Sequence, residues 1–186
     1  MFETDEAIYK RYLANHEEGD FRILVERHRE NLILFLMNFI HNQDDAEELM
    51  LDTFAEAAAS TRFMGKSSFK TWLFSIGKNL ALMRLRKTHF TVELTEGIEN
   101  VPVYESPDFE ILKSEQNRQI YEALGRLKSE YRQFLFLQFF EEMSNDEIER
   151  VMKKNRKQIY NLSQRSKSAL KEELERMGFD ELGSDI

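Results

Sequence analysis

The stretch FMGKSSFKTWLFSIGKNLALMRLRK, residues 63–87, is a basic, aromatic-rich island in a chain of formal net charge −8. No acid occurs between Glu56 and Glu93, whereas Arg62, Lys66, Lys70, Lys78, Arg84, Arg86 and Lys87 all fall in that interval, with Phe63, Phe69, Trp72, Phe74 and Phe90. A solvated helix face normally mixes signs, because like charges four residues apart repel by a few tenths of a kcal/mol per pair. Seven cations without one acid point to a polyanion that supplies the missing counter-charge. The helical period places Phe69, Trp72, Leu73, Ile76, Leu80 and Met83 on one stripe, expected to be core. Thr71, Ser75, Lys78, Asn79 and Arg86 fall on another face. Phe63 and Phe74, off the stripe, are candidates for stacking on unpaired bases, and Ser67 or Ser68 is the expected helix cap.

Charge elsewhere is equally segregated. Residues 91–112 carry Glu93, Glu96, Glu99, Glu105, Asp108 and Glu110 and no base. Residues 150–171 carry Arg150, Lys153, Lys154, Arg156, Lys157, Arg165, Lys167 and Lys171 and no acid. Screening over about 8–10 Å makes local charge, not the total, decide binding to a polyanion. The pI of about 5.2 therefore leaves nucleic acid open as a partner. The chain has no cysteine, which removes disulfides, thiolate zinc sites and cysteine nucleophiles. His16, His28, His41 and His89 show no metal-ligand spacing, and no catalytic constellation is visible. Gly65-Lys66-Ser67 imitates the end of a phosphate-binding loop, but Ser60 stands where that motif needs glycine, and the preceding segment reads as helix rather than strand. The N-terminus lacks a signal-peptide layout, and the longest apolar run, LILFLMNFI, is about half a membrane span. A soluble, cytoplasmic, non-enzymatic protein without cofactor, metal or membrane insertion is expected.

Both prolines, Pro102 and Pro107, lie in the acidic segment, where hydrophobic periodicity fails. Neither flank shows strand alternation. The expected fold is all-α: two small helical domains, 1–90 and 113–178, joined by a flexible acidic linker, 91–112, with a tail at 179–186. In the first, Phe21, Leu24, Val25, His28, Leu32, Phe35, Leu36 and Phe39 mark one buried helix face, and Asp44 with Glu47 reads as the start of the next helix. The carboxylates Asp44, Asp45, Glu47, Glu48 and Asp52 fan around that helix, so a metal cage is disfavoured against a solvated face or a docking surface for a basic helix. In the second domain, residues 111–127 read as one helix, and Phe134, Phe136, Phe139 and Phe140 as mainly core. Ser144 with Glu147 and Asn155 with Gln158 form capping boxes. Two helices joined by about three residues, the second basic, have the layout of a helix-turn-helix.

The 63–87 stretch, preceded by DDAEELMLDTFAEAAAS, resembles the second conserved region of extracytoplasmic-function (ECF) sigma factors of bacterial RNA polymerase, in the sigma-70 family. LKSEYRQFLFLQFFEEMSNDEIERVMKKNRKQIYNLSQRSKSALKEEL resembles their fourth region. The resemblance implies an alternative sigma factor that binds core RNA polymerase and directs promoter-specific initiation. It implies docking on the polymerase clamp through Asp45, Glu48, Leu49 and Asp52. It implies capture of melted −10 DNA by Phe63, Lys66, Ser67, Lys70, Ser75, Lys78 and Asn79, the loop Phe63–Ser67 receiving a flipped base. It implies recognition of the −35 duplex by Lys154, Arg156, Lys157, Gln158, Tyr160, Asn161, Gln164 and Arg165. The acidic linker would thread towards the RNA exit path, and an anti-sigma factor would be a further partner. Three positions depart from the family pattern: Leu127-Lys128 stands for Leu-Pro, Lys153-Lys154-Asn155 for a glycine-containing turn, and Ser166 for a buried alanine. The competing expectation is a stand-alone helix-turn-helix regulator that uses its first half to dimerise. RNA-binding or protein-interaction modules and enzymes are weaker alternatives.

Overall fold

The computed structural model describes residues 3–40, 42–60, 63–92 and 109–179. Every regular element among them is helical, and the chain divides into two compact units, Met1–Phe90 and Thr91–Ile186. Arg62, His41, most of the expected linker (93–108) and residues 180–186 of the expected tail lie outside the described residues.

Unit 1 contains α1 (Asp5–Asn15), α2 (Glu18–Met37), α3 (Gln43–Ala59) and α4 (Phe69–Val92), the last running two residues past the expected domain boundary. Thr4 caps α1, and α1 is then fastened to α2 at both ends. Arg11 grips both carboxylate oxygens of Asp20 at 2.6–2.9 Å, while Asp5 takes Arg27 at 2.7 Å and His28 Nε2 at 2.6 Å. This pairing of early with late residues sets the two helices antiparallel. The core forms where α2 turns its apolar end inward, with Leu32, Leu34, Phe35 and Leu36 completely buried.

Three expectations are corrected here. The cap of α3 is Asn42, whose side chain accepts from Asp45 N–H at 2.9 Å; Asp44 sits inside the first turn, where its charge suits the positive helix end. Residues 111–127 are not one helix. A 3₁₀ turn, Glu110–Leu112, is followed by α5 (Glu115–Gly125) because Ser114 takes an extended conformation at the boundary, a position serine favours. The buried face of α4 is wider than the period suggests and centred elsewhere. Thr71, Phe74 and Lys78 are buried together with Phe69, Leu73, Ile76 and Ala81, whereas Met83 is 48% exposed and Trp72 half-buried. The reason is Gly77: a Cβ there would stand 3.1 Å from Leu32 and 3.4 Å from Leu36 and Thr53. Lacking one, α4 beds against α2 and α3 along this side, and Phe74 meets Phe35 at 5.2 Å between ring centroids.

Unit 2 adds α6 (Ser129–Phe139), α7 (Asn145–Met152) and α8 (Arg156–Arg176). Phe134 and Phe136 are fully buried, and Phe136 stacks on the half-buried Phe140 at 5.1 Å. Both capping boxes form: Ser144 with Glu147, and Asn155 with Gln158. Ile159, Leu162, Ser166 and Leu170 make the buried stripe of α8, and the Ser166 hydroxyl donates to the Ser163 carbonyl at 3.2 Å, so the departure from alanine leaves no orphan hydroxyl. The turn without glycine has a residue in the left-handed region, Lys153 at φ +54°, whose N–H closes α7 on the Glu149 carbonyl.

Left-handed backbone costs a side-chain-bearing residue about 1–2 kcal/mol, partly balanced by the greater chain entropy of glycine. Lys153→Gly is therefore expected to raise the unfolding free energy by about 0.5–1 kcal/mol, read in urea titrations with an unchanged slope. The hydrogen bond from His28, with help from Arg27, outweighs burial and holds the Asp5 carboxyl below its ordinary 3.8. A lowered folded pKa contributes stability that is full above the unfolded value and lost as pH falls through the folded one. Asp5→Asn should thus destabilise unit 1 near neutral pH, and the difference from the parent should shrink in melts taken progressively below pH 3.8.

Candidate nucleic-acid interface

In unit 2 the geometry of α8 follows from its cap. Asn155 Oδ1 accepts Gln158 N–H and Gln158 Oε1 accepts Asn155 N–H, both at 2.9 Å, which fixes where the helix starts. With the buried stripe facing the core, the spacing puts Lys157, Tyr160, Asn161, Gln164 and Arg165 on one outward face, all exposed, Tyr160 to 62%. Arg156 is exposed at the helix start; Lys154, half-buried in the turn, pairs with Glu130 at 2.6 Å. Gln158 is exposed too, but its amide oxygen is committed to the cap. A shallow cleft of about 380 Å³ opens beside this face, lined by Tyr131, Gln164, Arg165, Ser168, Ala169 and Glu172. Cations, amides and a phenol without an acid in the same row suit phosphates and base edges of a duplex.

Unit 1 presents a different surface. The connection from α3 to α4 carries Lys66, exposed, and Ser67, half-buried, around Gly65 at φ +64°. Ser68 caps α4, its hydroxyl accepting Thr71 N–H at 3.2 Å. Along α4 the outward face consists of Trp72, Ser75, Asn79 and Met83, with Lys70 half-buried at its start. Ser75 turns its hydroxyl onto the Thr71 carbonyl at 2.7 Å. Lys78 lies apart from these residues, at 8% exposure on the packed side. Phe63 is half-buried, its ring edge-on to Tyr9 and 5.1 Å from Trp72, and Phe74 is wholly core. Phe63, Lys66 and Ser67 thus lie in the connection before α4, and Ser75 and Asn79 on its outward face, whereas Lys70 projects from the opposite side at the helix start and Lys78 is buried apart from them.

On α3, Asp44, Glu48, Leu51 and Asp52 face outward, while Leu49 is 3% exposed and belongs to the core. Leu49, which the family resemblance implied for docking, is thus not at the surface; Leu51, 62% exposed among carboxylates, is the outward leucine of α3. The helical period gives the reason: Leu49 belongs to the buried stripe with Met50, Thr53, Phe54 and Ala57, and Leu51 falls off it. Asp45 and Glu48 are not left to solvent alone: Arg84 of α4 bonds both at 2.7 Å. The hydrogen bond to Glu48 leads the effects that raise the Arg84 pKa, with Asp45 and Asp52 adding attraction. Among the described residues no group of three His, Cys, Asp or Glu could hold a metal, and no helix is long and apolar enough to cross a membrane.

Comparison with known proteins agrees with this division. The model of sigma-70 region 2 matches residues 24–91, and that of sigma-70 region 4 matches residues 117–170, in the order of the two units. The chain belongs to the sigma-70 family. RNA polymerase sigma-H factor of Pseudomonas aeruginosa is 27% identical over 81% of this chain and 83% of its own length. The ECF RNA polymerase sigma-E factor of Haemophilus influenzae is 26% identical over 80% and 84%. The sigma factor RpoE of Bartonella quintana, solved in complex with the anti-sigma factor NepR, superposes with a TM-score of 0.69 at 24% identity, covering 84% of this chain and 97% of that one. This sigma factor therefore carries the two DNA-facing regions of an alternative initiation factor, and the stand-alone regulator is not favoured.

Because Arg84 and its two carboxylates are all substantially exposed, their pairing contributes little to stability. Arg84→Ala should lower the unfolding free energy by less than about 1 kcal/mol, an effect that should fade as salt rises in matched melts.

Proposed function

We propose that unit 1 captures melted −10 DNA through the Phe63–Ser67 loop and the Ser75–Asn79 face of α4, while the outward face of α8 reads the −35 duplex. The observation that carries this is the exposed, acid-free row Lys157, Tyr160, Asn161, Gln164 and Arg165, held in place by the Asn155–Gln158 box. Arg165 suits guanine, and Asn161 and Gln164 suit adenine, through paired hydrogen bonds in the major groove. Lys154, Arg156, Lys66 and Lys70 serve as phosphate contacts, which position the protein without reading sequence. Lys78, being buried, is left out of the surface; Gln158 acts through the cap. Phe63 and Trp72 offer an aromatic edge against which an unstacked base can rest.

Core polymerase docks on the outward face of α3, through Glu48, Asp52 and Leu51, with Asp45 at the margin. Arg84 is then an internal stand-in for the basic partner and exchanges with it on docking. Base capture together with polymerase contacts drives local melting, so the protein works as a non-enzymatic factor without ATP or a cofactor, in the cytoplasm beside the polymerase. Residues 91–112 act as the linker between the two readers. An anti-sigma factor, the kind of partner bound to the Bartonella relative, is proposed to cover these surfaces and keep the protein from polymerase.

Transcription from a mixed promoter library, with core polymerase alone and with this protein added, tests the proposal. New start sites sharing −35 and −10 elements are expected; their absence, together with tight binding of the free protein to a palindrome, would return the stand-alone regulator. Within the recovered promoters, Asn79→Ala should alter base preference inside the −10 element. Lys70→Ala should instead weaken all promoters about equally and flatten the dependence on salt.

A further inference from the structure

Helix α1 precedes residues 24–91, the part that matches sigma-70 region 2, and its sequence has no DNA-binding signature. Yet α1 holds both ends of the loop that joins α3 to α4. The Tyr9 side chain is fully buried, and its hydroxyl lies 2.8 Å from both the Ala57 and the Ser60 carbonyls, where α3 ends. Its ring packs edge-on against Phe63 at 5.5 Å between centroids and also meets Phe69 at 5.0 Å and Trp72 at 5.5 Å. One helical turn earlier, Glu6 Oε1 accepts the Phe69 N–H at 2.7 Å, at the first residue of α4. One pair of side chains at three-residue spacing thus clamps the start and finish of the loop.

We propose that Glu6 and Tyr9 are positioning residues for −10 base capture, holding the 63–67 loop in register with Asn79 before DNA arrives. This rests on the reading of that loop as the base-capturing one. A loop ordered in advance loses less conformational freedom on binding, so affinity for an unpaired strand rises without any new contact. The two residues divide the work. Tyr9 ties the end of α3 to Phe63 and Trp72, the aromatic edge of the surface. Burial pushes its phenol up to about 12, so the hydroxyl remains a donor across the physiological range. Glu6 takes the orphan N–H of α4 and fills the site a phosphate would otherwise find at that helix end. DNA phosphates are thereby left to Lys66 and Lys70, which sets the strand to one side of the helix start.

The test uses the full chain with core polymerase and a fluorescent single strand carrying the non-template −10 segment of a promoter recovered from the library. Tyr9→Phe removes only the hydroxyl, Glu6→Ala removes the acceptor, and Glu6→Gln keeps an acceptor oxygen without the charge. Tyr9→Phe and Glu6→Ala are expected to weaken capture of the strand roughly three- to tenfold, and Glu6→Gln to recover most of the loss. Affinity for core polymerase and binding of −35 duplex should stay at the parent value at a temperature well below every variant's unfolding midpoint. Equal loss of polymerase affinity would show a general structural role and overturn the inference. Unchanged strand capture in Tyr9→Phe and Glu6→Ala, with Asn79→Ala still weakening it, would overturn the inference and leave the functional reading intact. Unchanged capture in Asn79→Ala and Phe63→Ala as well would overturn both.

Discussion

A phenol sealed from water needs an acceptor for its O–H, and in unit 1 the Tyr9 hydroxyl finds the carbonyls of Ala57 and Ser60. An unsatisfied buried hydroxyl costs about 1–3 kcal/mol, so the end of α3 is drawn to α1 rather than left to fray. Around the same ring gather Phe63, Phe69 and Trp72, each from beyond the loop's start. Helix α1, itself tied to α2 by Arg11–Asp20 and by Asp5 with His28 and Arg27, therefore carries the geometry of the surface proposed to face DNA. Remove the helix and the loop loses its ceiling, although no residue of α1 belongs to the proposed contact surface.

Charge is arranged with equal economy. The acid-free interval looks uniformly basic in one dimension, but folding distributes its cations to different tasks. Arg84 turns to Asp45 and Glu48 on α3 and neutralises part of the acidic face. Lys78 is withdrawn onto the packed side of α4, while Lys66 and Lys70 remain near the loop. In unit 2 Arg156, Lys157 and Arg165 of α8 stay outward because the capping box and the apolar stripe leave them no other direction, while Lys167 lies over the Phe139 ring. Glu173, buried near the far end of the same helix, is bracketed by Arg126 at 3.3 Å and Arg176 at 2.6 Å, so its buried charge is compensated.

The all-α architecture, the helix-turn-helix and both capping boxes of unit 2 were legible because they depend on neighbours in sequence: a three-residue reach from Ser144 to Glu147, or from Asn155 to Gln158. The outward row of α8 was legible for the same reason, since one face of that helix packs and a single stripe defines it. Helix α4 does not follow its apolar period. A helix bedded on α2 and α3 buries more than one stripe, and Gly77, which permits that approach, contributes nothing to a hydrophobic pattern. Lys78 and Phe74 were therefore assigned to the wrong side, and on α3 Leu49 was chosen where Leu51 faces out.

The sequence by itself determined that this chain is helical, that it holds two separate basic surfaces, and that its ordered pair of motifs belongs to a sigma factor. The helical and charge conclusions follow from periodicity, local caps and charge runs, all short-range properties of a chain; the sigma-factor one follows from the resemblance of the two motifs. Only the tertiary structure decided which cations reach solvent, how far Leu51 stands out from α3, and that Glu6 closes the start of a helix 63 residues away. Such contacts depend on how helices are packed, and a linear pattern does not record distance across a core.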